Sequence, residues 1–197
     1  AGDAQVEKVL ELYAQWINDR MASIDDLPVR YQRAAREHVK KCTEALERMQ
    51  EGWRLVQNNP LAARAFQLAN FAMLYQQIRS RLEPRDLVKD KQGVYRPDGA
   101  HPAATPDPKG GHWRAFQIAF ILASLPELVD PTHPKRTLVD LIFFPTGGGK
   151  TEAYLGASAI SLLARRLRNP DDAGTDTLMR YTLRLLTAQQ FLRASSL

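Results

Sequence analysis

Apolar side chains recur at helical spacing through the first 84 residues. Val6, Val9, Leu10, Tyr13 and Ile17 fall on one face of a first helix. Asp25-Asp26-Leu27-Pro28 breaks that helix and starts a second, because proline is tolerated in a first turn. Along the second helix Ala35, Val39, Cys42, Leu46, Met49, Trp53 and Val56 alternate steps of four and three. Such a seam packs against another helix, and we read it as part of an intramolecular bundle rather than a dimeric coiled coil. Asn58-Asn59-Pro60 is a stop-and-restart signal, with Asn59 suited to the cap and Pro60 to the first helical position. The third helix, Leu61 to about Leu82, is apolar nearly all round (Leu61, Phe66, Leu68, Phe71, Met73, Leu74, Ile78), which predicts burial. Its alanines, Ala62, Ala65, Ala69 and Ala72, form a narrow face for close helix approach. Asn70 and Gln76 within it are expected to be hydrogen-bonded core groups.

From Glu83 to Gly111 the pattern dissolves. Pro84, Pro97, Pro102, Pro106 and Pro108 mix with Gly93, Gly99, Gly110 and Gly111, which reads as a long loop or linker. Leu125 to Arg136 reads as a second, shorter connection marked by prolines. Beyond it, Leu138 to Phe144 is an apolar run of strand length, and Thr151 to about Arg168 is a helix. Asn169 to Asp176 is a turn, Thr177 to Leu183 a second strand candidate and Leu186 to Ser195 a further helix. Strand and helix in alternation predict an α/β fold with a parallel sheet. The expected organisation is a helical accessory region over 1–84, a linker over 85–112 and an α/β segment over 113–197.

Composition narrows the function classes. Of the 197 residues, 44% are hydrophobic, enough for a real core. No apolar stretch is long enough to span a bilayer, and no signal peptide is visible at the start, so the cytoplasm is the expected compartment. The single cysteine, Cys42, excludes an internal disulfide and any multi-cysteine zinc cluster. It lies in an apolar helical stripe, so it reads as a core thiol. His38, His101, His112 and His133 are too scattered for a metal site. The net charge of +5 is compatible with a nucleic-acid partner without demanding one.

The chemistry concentrates at Pro145-Thr146-Gly147-Gly148-Gly149-Lys150-Thr151, placed between a strand candidate and a helix. That is the context of a phosphate-binding loop. Glycines let consecutive N–H groups turn toward triphosphate oxygens, and the helix start adds the positive end of its dipole. Lys150 is expected to neutralise the β- and γ-phosphates of ATP, and Thr151 to place its hydroxyl on Mg²⁺. The common pattern opens with Gly or Ala, whereas here that position is Phe144. That residue closes the strand and need not touch phosphate.

Phe144 through Glu152 resembles motif I of superfamily 2 helicases. Upstream, Trp113-Arg114-Ala115-Phe116-Gln117 resembles the Q motif of that superfamily. The resemblance implies that Gln117 bonds the adenine edge, with Arg114 or Phe116 beside it. An amide presents one donor and one acceptor together, which suits that edge. Downstream, Met179 to Gln190 resembles motif Ia, which holds the nucleic-acid backbone. By that match Arg180, Thr182, Arg184, Thr187 and Gln189 are the candidate DNA contacts, and their types bind phosphate without reading sequence. The string from Trp113 through Phe191 is most similar to large bacterial helicase-like proteins, among them the helicase-domain subunit of the DISARM anti-phage system. The resemblance implies a RecA-like first motor domain with ATP and Mg²⁺ at Thr146 to Glu152. It further implies DNA as partner, single-stranded or with a single-stranded end, and a DUF1998-type partner subunit, DrmB.

A superfamily 2 motor also needs an acidic pair for Mg²⁺, a coupling motif and an arginine finger. Asp140 precedes the loop and Asp171-Asp172 lies in a turn, so neither fits the acidic pair. The chain is therefore expected to be the N-terminal part of a longer motor and to turn over little ATP alone. Two other readings stay open. One is a DNA- and partner-binding scaffold with a regulatory ATP site. The other is a small-molecule kinase, which Pro145-Thr146, Glu152, Gln117 and the arginine-bearing second strand candidate argue against.

Overall fold

The computed structural model describes residues 2–79, 85–99, 111–143, 148–180 and 184–195, without the side chains of 184–189. Six helices and one hairpin make up the regular structure of these residues. They are α1 (Gly2–Ala22), α2 (Val29–Asn58), α3 (Pro60–Arg79), β1 (Leu87–Lys89), β2 (Tyr95–Pro97), α4 (Ala115–Val129), α5 (Lys150–Arg168) and α6 (Arg184–Ser195). The chain divides into two compact units, one of residues 1–69 with 113–178 and one of 70–112 with 179–197.

In the first unit the two helical seams meet as their spacing predicts. Val6, Leu10 and Ile17 of α1 pack with Val39, Leu46, Met49 and Trp53 of α2. Asn59 closes the junction to α3, its Oδ1 accepting from the N–H groups of Leu61 at 3.0 Å and Ala62 at 3.1 Å. The alanine face of α3 also behaves as expected. Ala62, Ala65 and Ala69 are buried against Ile121, Leu125 and Val129 of α4 and Ala159, Ile160 and Ala164 of α5.

Helix α4 lies between both clusters. It gives Ile118 and Leu122 to the first and Ile121, Leu125 and Val129 to the second. The helix runs on through Pro126 to Val129, so the connection read as starting at Leu125 begins only after it. Pro126 has no N–H to donate to the Leu122 carbonyl. At that place α2 approaches closely, at Gly52, where a Cβ would stand 1.9 Å from the Leu122 oxygen. Glycine is required here by the approach of another backbone.

The α/β expectation is overturned. The protein is mostly helical, and the sheet among the described residues is a two-stranded antiparallel hairpin, not a parallel phosphate-loop sheet. Both strand candidates lack strand structure over their described parts, 138–143 and 177–180. Strand propensity expresses fit to a pleated, half-covered surface, and among the described residues no neighbouring strand supplies one here. Val139, Leu141 and Phe143 are 90%, 86% and 87% exposed. Phe144 and residues 181–183 lie outside the described residues.

In the second unit the hairpin forms within the stretch read as a linker. Leu87 pairs with Pro97, Val88 with Arg96 and Lys89 with Tyr95. Asp90 organises its turn. One carboxylate oxygen accepts from Gln92 N at 3.0 Å and Val94 N at 2.9 Å, and the other from Arg96 Nε at 2.7 Å. Gly93 supplies the positive φ of 85°. Of the polar residues in α3, Gln76 is buried, but its amide has no hydrogen-bond partner among the described residues, against expectation. Phe71 is exposed although the helix reads as buried all round.

Candidate functional site

Helix α5 starts at the glycine loop. Gly149 is its N-cap, with φ +86° and ψ 29°, a left-handed conformation that side chains resist. Lys150, Thr151 and Glu152 form the first turn and are partly buried. Of the other expected phosphate-loop residues, Gly148 is described, whereas Thr146 and Gly147 lie outside the described residues.

The start of α4 is tied to this loop. Gln117 occupies the third position of α4, and its Oε1 accepts from the Arg114 N–H at 2.8 Å, one half of a capping box. Its Nε2 donates to the Gly149 carbonyl at 2.8 Å. Arg114 Nη1 donates to the Gly148 carbonyl at 2.9 Å. Gln117 is only 4% exposed, so these bonds fix it. The amide that the resemblance assigns to adenine thus has its oxygen on Arg114 and its nitrogen on Gly149.

The two helix starts are held close by packing. A Cβ at Gly156 would meet Trp113 Cη2 at 2.8 Å and Ile121 Cδ1 at 3.0 Å, so α5 presents a bare backbone there. Trp113 is a packing residue that the spacing of the Q-like string did not reveal. The outcome is two helix N-termini side by side, each contributing the positive end of a dipole, with the Arg114 guanidinium on the loop. Such an arrangement favours an anion rich in oxygens. A Cβ at Gly149 would lie 2.8 Å from Gln117 Nε2 and 3.3 Å from Glu152 Oε2, so any side chain there would fill the cradle. The donors present fit a phosphate group, and the Thr151 hydroxyl fits a hard cation such as Mg²⁺.

Phe116 is placed elsewhere. It lines an apolar cleft of about 570 Å³ with Tyr13 and Trp16 of α1 and Met49 of α2. The candidate DNA contacts are not gathered by the described residues. Arg180 is exposed in irregular chain, Thr182 lies outside the described residues, and Arg184 opens α6. Thr187 and Gln189 follow on that helix. Among the described residues no cluster of three or more His, Cys, Asp or Glu is arranged to hold a metal. No described helix is long and apolar enough to cross a membrane.

No family model matches the chain. A curated relative does: the DISARM protein DrmA of Bacillus paralicheniformis is 37% identical over 190 residues. The match covers 90% of this chain and 15% of that protein. It bears out the resemblance to a DISARM subunit drawn from the residues alone.

Proposed function

We propose, from a chain that is DrmA-like along nine-tenths of its length, that this segment binds ATP with Mg²⁺ and serves an ATP-dependent DNA helicase or translocase in anti-phage defence. The observation that carries the reading is the meeting of two helix starts at Gly148 and Gly149, fastened by Arg114 and Gln117. In this reading Lys150 neutralises the β- and γ-phosphates, and Thr151 offers its hydroxyl to the cation that bridges them. The N–H groups opening α5 add fixed partial positive charge that needs no reorganisation on binding. Gln117 and Arg114 hold the loop carbonyls back, which turns the loop N–H groups toward the ligand. Arg180, Thr182, Arg184, Thr187 and Gln189 grip DNA through its phosphates, without reading bases. The protein works with other subunits of the defence system, among them one of the DUF1998 type.

The test is binding of a fluorescent ATP analogue with Mg²⁺ and of single-stranded DNA by the full-length protein. Lys150→Ala is expected to weaken nucleotide binding by about tenfold or more, the loss of one charge-assisted phosphate contact. Arg184→Ala is expected to weaken DNA binding and flatten its salt dependence. Wild-type nucleotide affinity in Lys150→Ala rejects the reading.

A further inference from the structure

The resemblance assigns the base to Arg114, Phe116 and Gln117, and each of the three is engaged elsewhere. Neighbouring positions on a helix point about 100° apart, so Phe116 and Gln117 leave α4 on different faces. Phe116 shares its face with Ala119, Phe120 and Ala123, and all four line the apolar cleft with Tyr13 of α1. Gln117 is turned to the loop. An amide that reads adenine accepts from N6 with its oxygen and donates to N7 with its nitrogen. In Gln117 the oxygen accepts from the Arg114 N–H at 2.8 Å, and the nitrogen donates to the Gly149 carbonyl at 2.8 Å. A Cβ at Gly149 would stand 2.8 Å from that nitrogen, so the amide lies directly on the loop backbone. The side chain is buried. To meet a purine it would have to break both bonds and open the cap of α4. The Arg114 guanidinium donates to the Gly148 carbonyl. A guanidinium stacked on a base gains from any π-face, so it adds affinity without choosing among bases.

Resting on the nucleotide reading above, we propose that the loop takes purine nucleoside triphosphates without reading the base edge, ATP and GTP alike. Gln117 is then a positioning residue for Gly149, not a reader of adenine. The contacts that carry affinity fall on the triphosphate, which every nucleoside triphosphate shares. A bidentate reading of adenine would instead favour ATP by about tenfold to a hundredfold over the wrong base.

The test is displacement of a ribose-labelled fluorescent ATP analogue from the full-length protein with Mg²⁺ by ATP, GTP and inosine triphosphate. The three purines are equal in size, so stacking is held constant and only the base edge varies. They are expected to compete within about threefold of one another, since no edge contact separates them. Gln117→Ala is expected to weaken all three by about threefold to tenfold, as loss of one buried hydrogen bond implies, with their ratios unchanged. Should that variant not fold, Gln117→Glu keeps the side-chain volume and the acceptor for Arg114 and removes only the donor to Gly149. It is expected to behave as Gln117→Ala. The unfolding midpoint without nucleotide is measured beside each affinity. A role in helix capping alone would lower the midpoint and leave all three affinities unmoved, which overturns the positioning role. ATP competing tenfold or more better than GTP and inosine triphosphate, or ATP alone weakened in the Gln117 variants, overturns the proposal and leaves the nucleotide reading standing. Wild-type binding of the labelled analogue in Lys150→Ala removes both.

Discussion

Gly52→Ala sets helix propensity against packing in a way that gives a definite sign. Alanine in a helix interior is favoured over glycine by about 1 kcal/mol. At position 52 the added Cβ would fall 1.9 Å from the Leu122 oxygen, 2.8 Å from its carbonyl carbon and 3.3 Å from its Cα. All three are backbone atoms, so no side chain can swing away. A carbon-to-oxygen contact settles near about 3.3 Å, so α2 and α4 must part by roughly 1.4 Å. That movement loosens the packing of Met49, Trp53, Ile118 and Leu122, which share one core cluster. Overpacking of this kind costs about 1–3 kcal/mol, and the loosened contacts put this case at the upper end. Set against the propensity gain, the net is a loss of about 2 kcal/mol, or roughly 4–8 °C in the unfolding midpoint for a chain of this size. Trp53 stands next to the substitution, so its fluorescence in a urea titration reports the change directly. A variant equal to wild type or more stable would refute the close approach.

Two other perturbations address the helix junction and the turn after α5. Asn59→Ala removes the side-chain acceptor for Leu61 and Ala62 and is expected to cost about 1 kcal/mol, measured by urea unfolding. Asp172 is held below its ordinary value of 3.8, first by its hydrogen bonds from Arg165 and against the effect of desolvation. Because its folded value is depressed, the stabilisation is present above the ordinary value and is lost as pH falls through the lower one. Its carboxyl carbon shift, followed by nuclear magnetic resonance, should titrate below 3.8, and Arg165→Gln should bring the midpoint back toward that value.

The parts legible in the residues are those set by local rules. The seams of α1 and α2, the Asn59-Pro60 junction and the alanine face of α3 follow from spacing and capping alone. The glycine loop at the start of α5 is likewise local. The parts that misled depend on partners far along the chain. Leu138 to Phe144 has strand composition, but a strand forms only where another lies beside it. Pro126 reads as a breaker, yet α4 passes through it because its lost donor lies where Gly52 lets α2 approach. Gln117 was identified by its spacing from the loop, while its double engagement with Arg114 and Gly149 needed the packing of α4 on α5. Arg48 bonds Asp140 across 92 residues, and an arginine on a helix carries no mark of the carboxylate that it will meet.

Asp140 is the one charge among the seven residues from Leu138 to Phe144. Short windows that are apolar, uncharged and rich in strand formers stack between molecules into β-aggregates. With Val139, Leu141 and Phe143 open to solvent, this carboxylate is a gatekeeper in colloidal terms: it interrupts a surface that would otherwise template its own copy. Its replacement by an uncharged residue would therefore show as concentration-dependent turbidity before any loss of helix.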